Sequence, residues 1–284
     1  MDVADAYRLC ARVTRRRARN FYYAFLSLPI RQRRGIYALY AFCRTADDAV
    51  DDRASDEAKQ EGLADLRRRL AKAAAGDPEG GIDLALADAI ASFGVDPDDL
   101  GDVLTGMEMD LEFRRVATFD ELRDYCYHAA SAVGLATLPI LNDGIPPTDA
   151  MRDAAVDLGL GMQFVNVLRD VAEDLDRDRI YLPADEMASF GVDEHALRDR
   201  SMTDGVRRLL ERQADRASAS LARGRQLLSI LPPAGGRCVW LLGEIYGRIL
   251  ERIRAADYDV FSERPSLPTR EKLALLARSF RGRP

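Results

Sequence analysis

The sequence is short of the residues that build thiolate metal sites and disulfide frameworks. It has only two histidines, His128 and His195, and four cysteines, Cys10, Cys43, Cys126 and Cys238, far apart and with no CxxC pair. That scarcity speaks against a Cys/His zinc centre and for reduced, buried thiols. Long apolar runs are also missing: the most apolar stretch, AASAVGLATLPIL, is too short to span a bilayer. The N-terminal MDVADAYRLCARVTRRRARN has arginines but no apolar segment behind them, so no secretory signal is read there and a cytoplasmic chain is expected. Its RVTRRRARN run either touches anionic lipid at the inner face of the membrane, as a peripheral contact, or ends a solvated helix. No GxGxxG occurs, so no nicotinamide motif is read. Lys plus Arg is 41 against 47 for Asp plus Glu, a net charge of −6, and an acidic chain is a poor partner for nucleic acid. Alternating apolar and polar strands bounded by turns are nearly absent, which disfavours a sheet protein.

Helical signals fill the space. After Leu28–Pro29, Ile36, Tyr37, Tyr40 and Ala41 recur at helical spacing, with Pro29 expected at a first helical position. Asp96 is expected to cap the helix beginning at Pro97, and Thr118 with Glu121 forms a capping-box pattern. MRDAAVDLGLGMQFVNVLRDVAEDLDRD reads as one long amphipathic helix, and MTDGVRRLLERQADRASASLARGRQLLSIL as another. The expected architecture is all-α: a single domain over residues 1–284, a bundle of about eight to ten helices.

Two acidic clusters carry the chemistry. On a helix, Arg44, Asp47, Asp48 and Asp51 of RTADDAVDD fall within roughly a 100° arc, with Asp52 just beyond. In QFVNVLRDVAEDLDRDRIYLP, Gln163, Asn166, Asp170, Asp174 and Arg177 step by three or four residues, and Glu173 borders their stripe. Like charges on one face repel unless a cation offsets them, so removing one is not expected to destabilise the metal-free protein. Oxygen ligands of this kind suit Mg2+, which is usually held by a few carboxylates together with substrate phosphates. Arg44, Arg169, Arg177 and Arg179 add cations for phosphate oxygens, so the expected ligand is a diphosphate with its metal.

FYYAFLSLP, YALYAFCRTADDAVDD, MEMDL, YCYHAASAVG, QFVNVLRDVAEDLDRDRIYLP and LLGEIYGRIL, in that order from Arg19 to Tyr258, resemble the squalene/phytoene synthase family. The resemblance implies an isoprenoid-synthase helical fold around a central cavity. It implies Mg2+-dependent head-to-head joining of two prenyl diphosphates. By motif it makes Asp47, Asp48 and Asp51 one metal site, with Tyr40 and Arg44 before it. It makes Asp170, Glu173 and Asp174 the other, with Gln163, Asn166 and Arg169 before it. It brings Tyr125 and Tyr246 to the reaction. Where the family often has Ser and a basic residue before FYY, this chain has Ala18, Arg19 and Asn20, which keeps a cation but removes the hydroxyl.

Phe21, Phe25, Ala132, Val133, Gly134, Leu138 and Phe164 are candidate walls for the cavity, or ordinary core. Tyr40, Tyr125 and Tyr246 offer ring faces to a cation or hydroxyls to diphosphate, or are buried structural tyrosines. Gly243 and Gly247 beside Tyr246 would admit a close neighbour. In the family's arrangement Phe25 and Tyr37 lie together by the prenyl tail. Two rings there would shorten the tunnel, which favours farnesyl diphosphate as substrate and presqualene diphosphate or squalene as product, with phytoene from two geranylgeranyl diphosphates as the alternative. NADPH enters only if the product is squalene. Terpene cyclases and chain-elongating prenyltransferases also pair acidic motifs, but the second run here is NxxxDxxED rather than another DDxxD. A non-catalytic scaffold relative would be marked by decay of the acidic motifs, and every expected carboxylate is present.

Overall fold

The structure, a computed structural model, describes residues 1–51, 55–112 and 115–281, without the side chains of Arg19, Asp51 and Glu112. Asp52 therefore lies outside the described residues, as do the side chains of Arg19 and Asp51. The first half runs α1 Val3–Arg17, α2 Arg19–Phe25, α3 Ile30–Asp51, α4 Asp56–Ala74, α5 Gly81–Phe93, α6 Pro97–Glu112, α7 Phe119–Cys126, a π turn Tyr127–Ser131 and α8 Ala132–Leu141. The second half runs α9 Asp149–Arg169, α10 Val171–Asp176, α11 Ala184–Ser189, α12 Glu194–Arg198, α13 Asp204–Gly224, α14 Leu227–Ile230, α15 Pro233–Ala255 and α16 Thr269–Ser279. The fold is all-α. Among the described residues the only β pairing is an isolated parallel bridge between Arg115 and Ile180. No helix among them is long and apolar enough to cross a membrane.

The helices begin where side-chain acceptors stand. Asp96 Oδ1 takes the Asp98 N–H at 3.0 Å, and Thr148 and Thr203 cap α9 and α13 in the same way. Thr118 takes the Glu121 N–H at 3.3 Å, but Glu121 reaches back to the Ala117 N–H at 2.8 Å rather than to Thr118 itself. Pro29 sits one place before α3 and lends its carbonyl to the Arg33 N–H.

The count exceeds the expected eight to ten helices because several long patterns are broken. The stretch from Met151 to Asp178 is not one helix. It bends at Asp170, whose ψ of 8° closes α9 and opens α10. The segment after Thr118 is interrupted by the π turn, where the Ala132 N–H bonds the Tyr127 carbonyl. Gly106 of α6 and Gly159 of α9 pinch that turn from two sides. A Cβ on Gly106 would lie 2.9 Å from the His128 carbonyl carbon, and one on Gly159 2.6 Å from Ser131 Cα. α9 and α13 form the most extensive helix pair. The buried core is continuous, from Tyr7 and Cys10 of α1 to Ile249 and Ile253 of α15.

Candidate active site

α3 presents Ile36, Tyr40, Cys43 and Asp47 at steps of three and four to a cavity of about 270 Å³. α9 faces it with Leu158, Gly159, Met162, Gln163 and Asn166, α15 with Val239, Leu242 and Tyr246, and α2 with Phe21 and Phe25. The polar side chains of the lining are Tyr40, Asp47, Thr137, Gln163, Asn166 and Tyr246. The rest of the wall is apolar. Cys43 belongs to that wall, and burial pushes its thiol up to about 12, so it stays neutral. Of the walls read from the sequence, Phe21, Phe25, Val133, Gly134 and Leu138 line the cavity. Ala132 and Phe164 do not: Ala132 is buried in the core, and Phe164 packs on Phe119 with ring centres 5.8 Å apart.

Tyr37 is likewise outside the lining. The stripe of α3 that faces the cavity runs through residues 36, 40, 43 and 47, and Tyr37 is one position off it. Its ring packs against Phe25 at 6.3 Å, while Phe25 also meets Tyr40 at 6.2 Å. Phe25 therefore borders the cavity beside Tyr40, with Tyr37 behind it.

The first acidic motif is held by its own arginine. Arg44 donates to Asp48 and, at 3.4 Å, to Asp47 Oδ2, while Arg17 of α1 stands 3.9 Å from Asp48. Burial first, then the nearby Asp47 carboxylate, push the Tyr40 hydroxyl up to about 12. Asn20 is half-buried on α2.

The second motif is held more tightly. Arg169 donates to both oxygens of Asp170, at 2.8 and 2.5 Å, and Arg264 approaches the same carboxylate at 2.7 Å and Glu173 at 3.1 Å. The sequence reading passed over Arg264, since it lies in a loop before α16 with no motif around it. The expectation that a carboxylate could be removed without cost thus fails at Asp170, whose loss would strand a largely buried guanidinium. Asn166 donates to Gln163 at 3.0 Å, and its own Oδ1 is buried without a partner. Tyr246 is fully buried, which raises its pKa, while the neighbouring Arg169 and Asn166 side chains pull the other way. Gly243 and Gly247 do not admit a helix: nothing lies within 4 Å of a Cβ built on either, and both open onto an outer groove.

Asp174 and Tyr125 lie away from the cavity lining. Asp174 borders a small pocket with Arg179 and Tyr181. Burial, then repulsion from Asp170, push its carboxyl up to about 7, against the pull of Arg179 and Arg177. Arg177 itself is exposed at the end of α10. Tyr125 stacks on Tyr181 with ring centres 4.9 Å apart and hydroxyls 3.4 Å apart, and Tyr181 donates to Asp110 of MEMDL at 3.3 Å. Tyr181 is a second residue the sequence reading passed over, although RIYLP contained it. Among the described residues, no three acidic, histidine or cysteine side chains converge on one point.

Residues 14–271 match the squalene/phytoene synthase family. The chain belongs to that family. Its class is that of a prenyltransferase. A squalene/phytoene synthase fold is also what the solved relatives share. The chain is 30% identical to a dehydrosqualene synthase crystallised with a ligand, with a TM-score of 0.89 over 98% of this chain and 96% of that one. It is 30% identical to the squalene synthase HpnC from Alicyclobacillus acidocaldarius, with a TM-score of 0.85 over 90% of this chain and 95% of that one. By sequence it is 35% identical to a 15-cis-phytoene synthase of Synechococcus elongatus, over 97% of this chain and 92% of that protein. It is 34% identical to the chloroplastic phytoene synthase of Narcissus pseudonarcissus, of whose length it spans 66%.

Proposed function

We propose that the protein joins two prenyl diphosphates head to head through a cyclopropyl diphosphate. The observation that carries this is the shared wall: Asp47, Gln163, Asn166 and Tyr246, from three helices, border one largely apolar cavity. The allylic C–O bond of the first substrate breaks, and its electron pair leaves with the diphosphate. The C2–C3 double bond of the second substrate attacks the allyl cation. Loss of a proton to the departed diphosphate closes the three-membered ring. The walls exclude water, which would otherwise quench the cation. Arg44, Arg169 and Arg264 stand where they can take diphosphate oxygens in place of carboxylates.

The donor set fits Mg2+: carboxylates from two helices and the unpartnered Asn166 Oδ1, all hard oxygens. Asp47, Asp48 and Asp51 would hold it on one side and Asn166, Asp170, Glu173 and Asp174 on the other. There it would supply charge neutralisation for the leaving diphosphate.

For chain length we favour two C20 substrates and a phytoene-type product. The cavity follows α3 from Asp47 to Ile36, roughly 16 Å of helix, and its far walls include the small residues Ala129, Ala130, Gly134, Ala136, Ala155 and Gly159. The curated relatives above are named phytoene synthases, which supports the same choice. A second reading, two C15 substrates giving presqualene diphosphate or squalene, is favoured by the Phe25 ring backed by Tyr37. NADPH belongs only to a squalene-forming version of it. The test is incubation with C15 or C20 diphosphate, with Mg2+ or EDTA and with or without NADPH, followed by product identification. A C40 hydrocarbon formed only with Mg2+ is expected. Turnover of the C15 substrate alone would overturn the chain-length choice, and diphosphate release undiminished in EDTA would overturn the metal assignment.

A further inference from the structure

We propose that the outward face of α16 docks on an anionic lipid bilayer. α16 is apolar on two sides. Leu275 and Ser279 are buried toward α15 and α2, while Leu273 and Phe280, seven residues apart and so on one face, are 50% and 59% exposed. Ala277 lies between them on the same face and Ala274 beside it, both exposed. Phe280 is the only aromatic among the large exposed hydrophobics of the described residues. A surface helix ordinarily turns its charged residues outward and keeps its apolar stripe for the core. Here a second apolar stripe faces out, and cations rim it.

The rim is basic. Arg270, Arg278 and Arg281 are exposed, Lys272 is half-buried over the Tyr23 ring, and Arg237 of α15 lies over the Phe280 ring at 5.3 Å. The single acid of the helix, Glu271, is already paired with Arg252 at 2.6 Å. A short amphipathic helix with an apolar centre and a basic margin is the pattern of an interfacial helix, and the complementary surface is a negatively charged bilayer. The arginine run at the end of α1 differs: it has no exposed apolar stripe, and its Arg17 is turned toward Asp48.

The position gives the docking a use. α16 packs on α2 and α15, which carry Phe21, Phe25, Val239 and Leu242 of the cavity wall. If the proposed condensation holds, the product is a hydrocarbon or a prenyl-rich diphosphate with little affinity for water. A bilayer against that side of the molecule offers it an apolar acceptor.

The test is co-sedimentation of the full chain with vesicles of phosphatidylcholine alone or mixed with phosphatidylglycerol, at low and high salt. The protein is expected on the mixed vesicles at low salt and in solution with phosphatidylcholine alone. Arg270→Gln and Arg281→Gln should each lower partitioning about fivefold. Leu273→Asp with Phe280→Asp should abolish it while far-ultraviolet circular dichroism keeps its helical signal, since both side chains are exposed. Replacing Arg12, Arg15 and Arg16 of α1 by Gln should matter far less. Binding that survives the Leu273/Phe280 pair, or that is lost only in the α1 variant, would overturn the proposal. So would a dimer in sedimentation velocity that the Leu273/Phe280 pair dissolves, because the face would then cover a second copy. The condensation assay is separate, and its failure leaves the vesicle result standing.

Discussion

Arg264 Nη2 stands 2.7 Å from Asp170 Oδ1, although ninety-four positions of chain separate the two. With Arg169 on both oxygens of the same carboxylate, Asp170 is neutralised twice by its own protein. If Asp170 holds Mg2+ as proposed, Arg169 and Arg264 would have to give up the carboxylate and would then be available to diphosphate oxygens.

The first prediction separates the two acidic motifs. Asp47→Ala and Asp170→Ala should both abolish turnover at saturating substrate and Mg2+. Only Asp170→Ala should cost stability, about 1–3 kcal/mol, because it leaves the Arg169 side chain, 11% exposed, without its carboxylate. Thermal denaturation beside steady-state kinetics checks both. Near wild-type turnover in either variant would remove that residue from the site.

Tyr246→Phe removes a buried hydroxyl at the cavity wall, beside Asn166 and Arg169. Turnover should fall while stability changes by about 1 kcal/mol. Unchanged activity per folded molecule with a large drop in melting temperature would make the hydroxyl purely structural.

Phe25→Ala and Tyr37→Ala should differ in kind. Phe25 borders the cavity, so its truncation should raise the ratio of C20 to C15 turnover, at a stability cost of about 3–5 kcal/mol. Tyr37 only backs that ring, and its truncation should change the ratio less. Equal shifts in product distribution from the two variants would contradict this geometry.

Asp174 makes stability depend on pH with an unusual sign. Its carboxyl is raised from the usual 3.8 to about 7 in the folded chain. In that window the folded state binds more protons than the unfolded one, so this group's contribution is present below 3.8 and lost as pH rises through about 7. Without metal, the melting temperature of wild type should fall across that window relative to Asp174→Asn. Parallel curves for the two proteins would show that Asp174 titrates normally.

Much of the site was legible because its residues repeat at three and four along single helices. Asp47, Gln163 and Asn166 share one cavity as their spacing suggested, and Tyr246 joins them by its place in GEIYGRIL. Arithmetic along one helix cannot say which of two adjacent stripes faces inward. The stripe through Tyr37, Arg44 and Asp48 reads as plausibly as the one through Ile36, Tyr40, Cys43 and Asp47, and the packing of α3 between α1, α5, α4, α6 and α8 selects the second. Arg264 and the Tyr125–Tyr181 pair were not readable, because each depends on a contact between distant segments. The bend at Asp170 was hidden too, since QFVNVLRDVAED has no proline or glycine to announce it.

The π turn has a consequence for how tolerant this wall is to change in length. One extra residue in that turn rotates everything after it by about 100° relative to an unbroken helix. Tyr125, before the turn, can therefore meet Tyr181, while Val133, Gly134 and Leu138, after it, face the cavity. Deleting a single residue between 127 and 131 would remove the bulge together with the residue it accommodates, so the two offsets cancel and Val133, Gly134 and Leu138 would keep facing the cavity. The turn thus absorbs the loss of one residue, whereas a further insertion that no second bulge accommodates would exchange the entire cavity face of α8 for another.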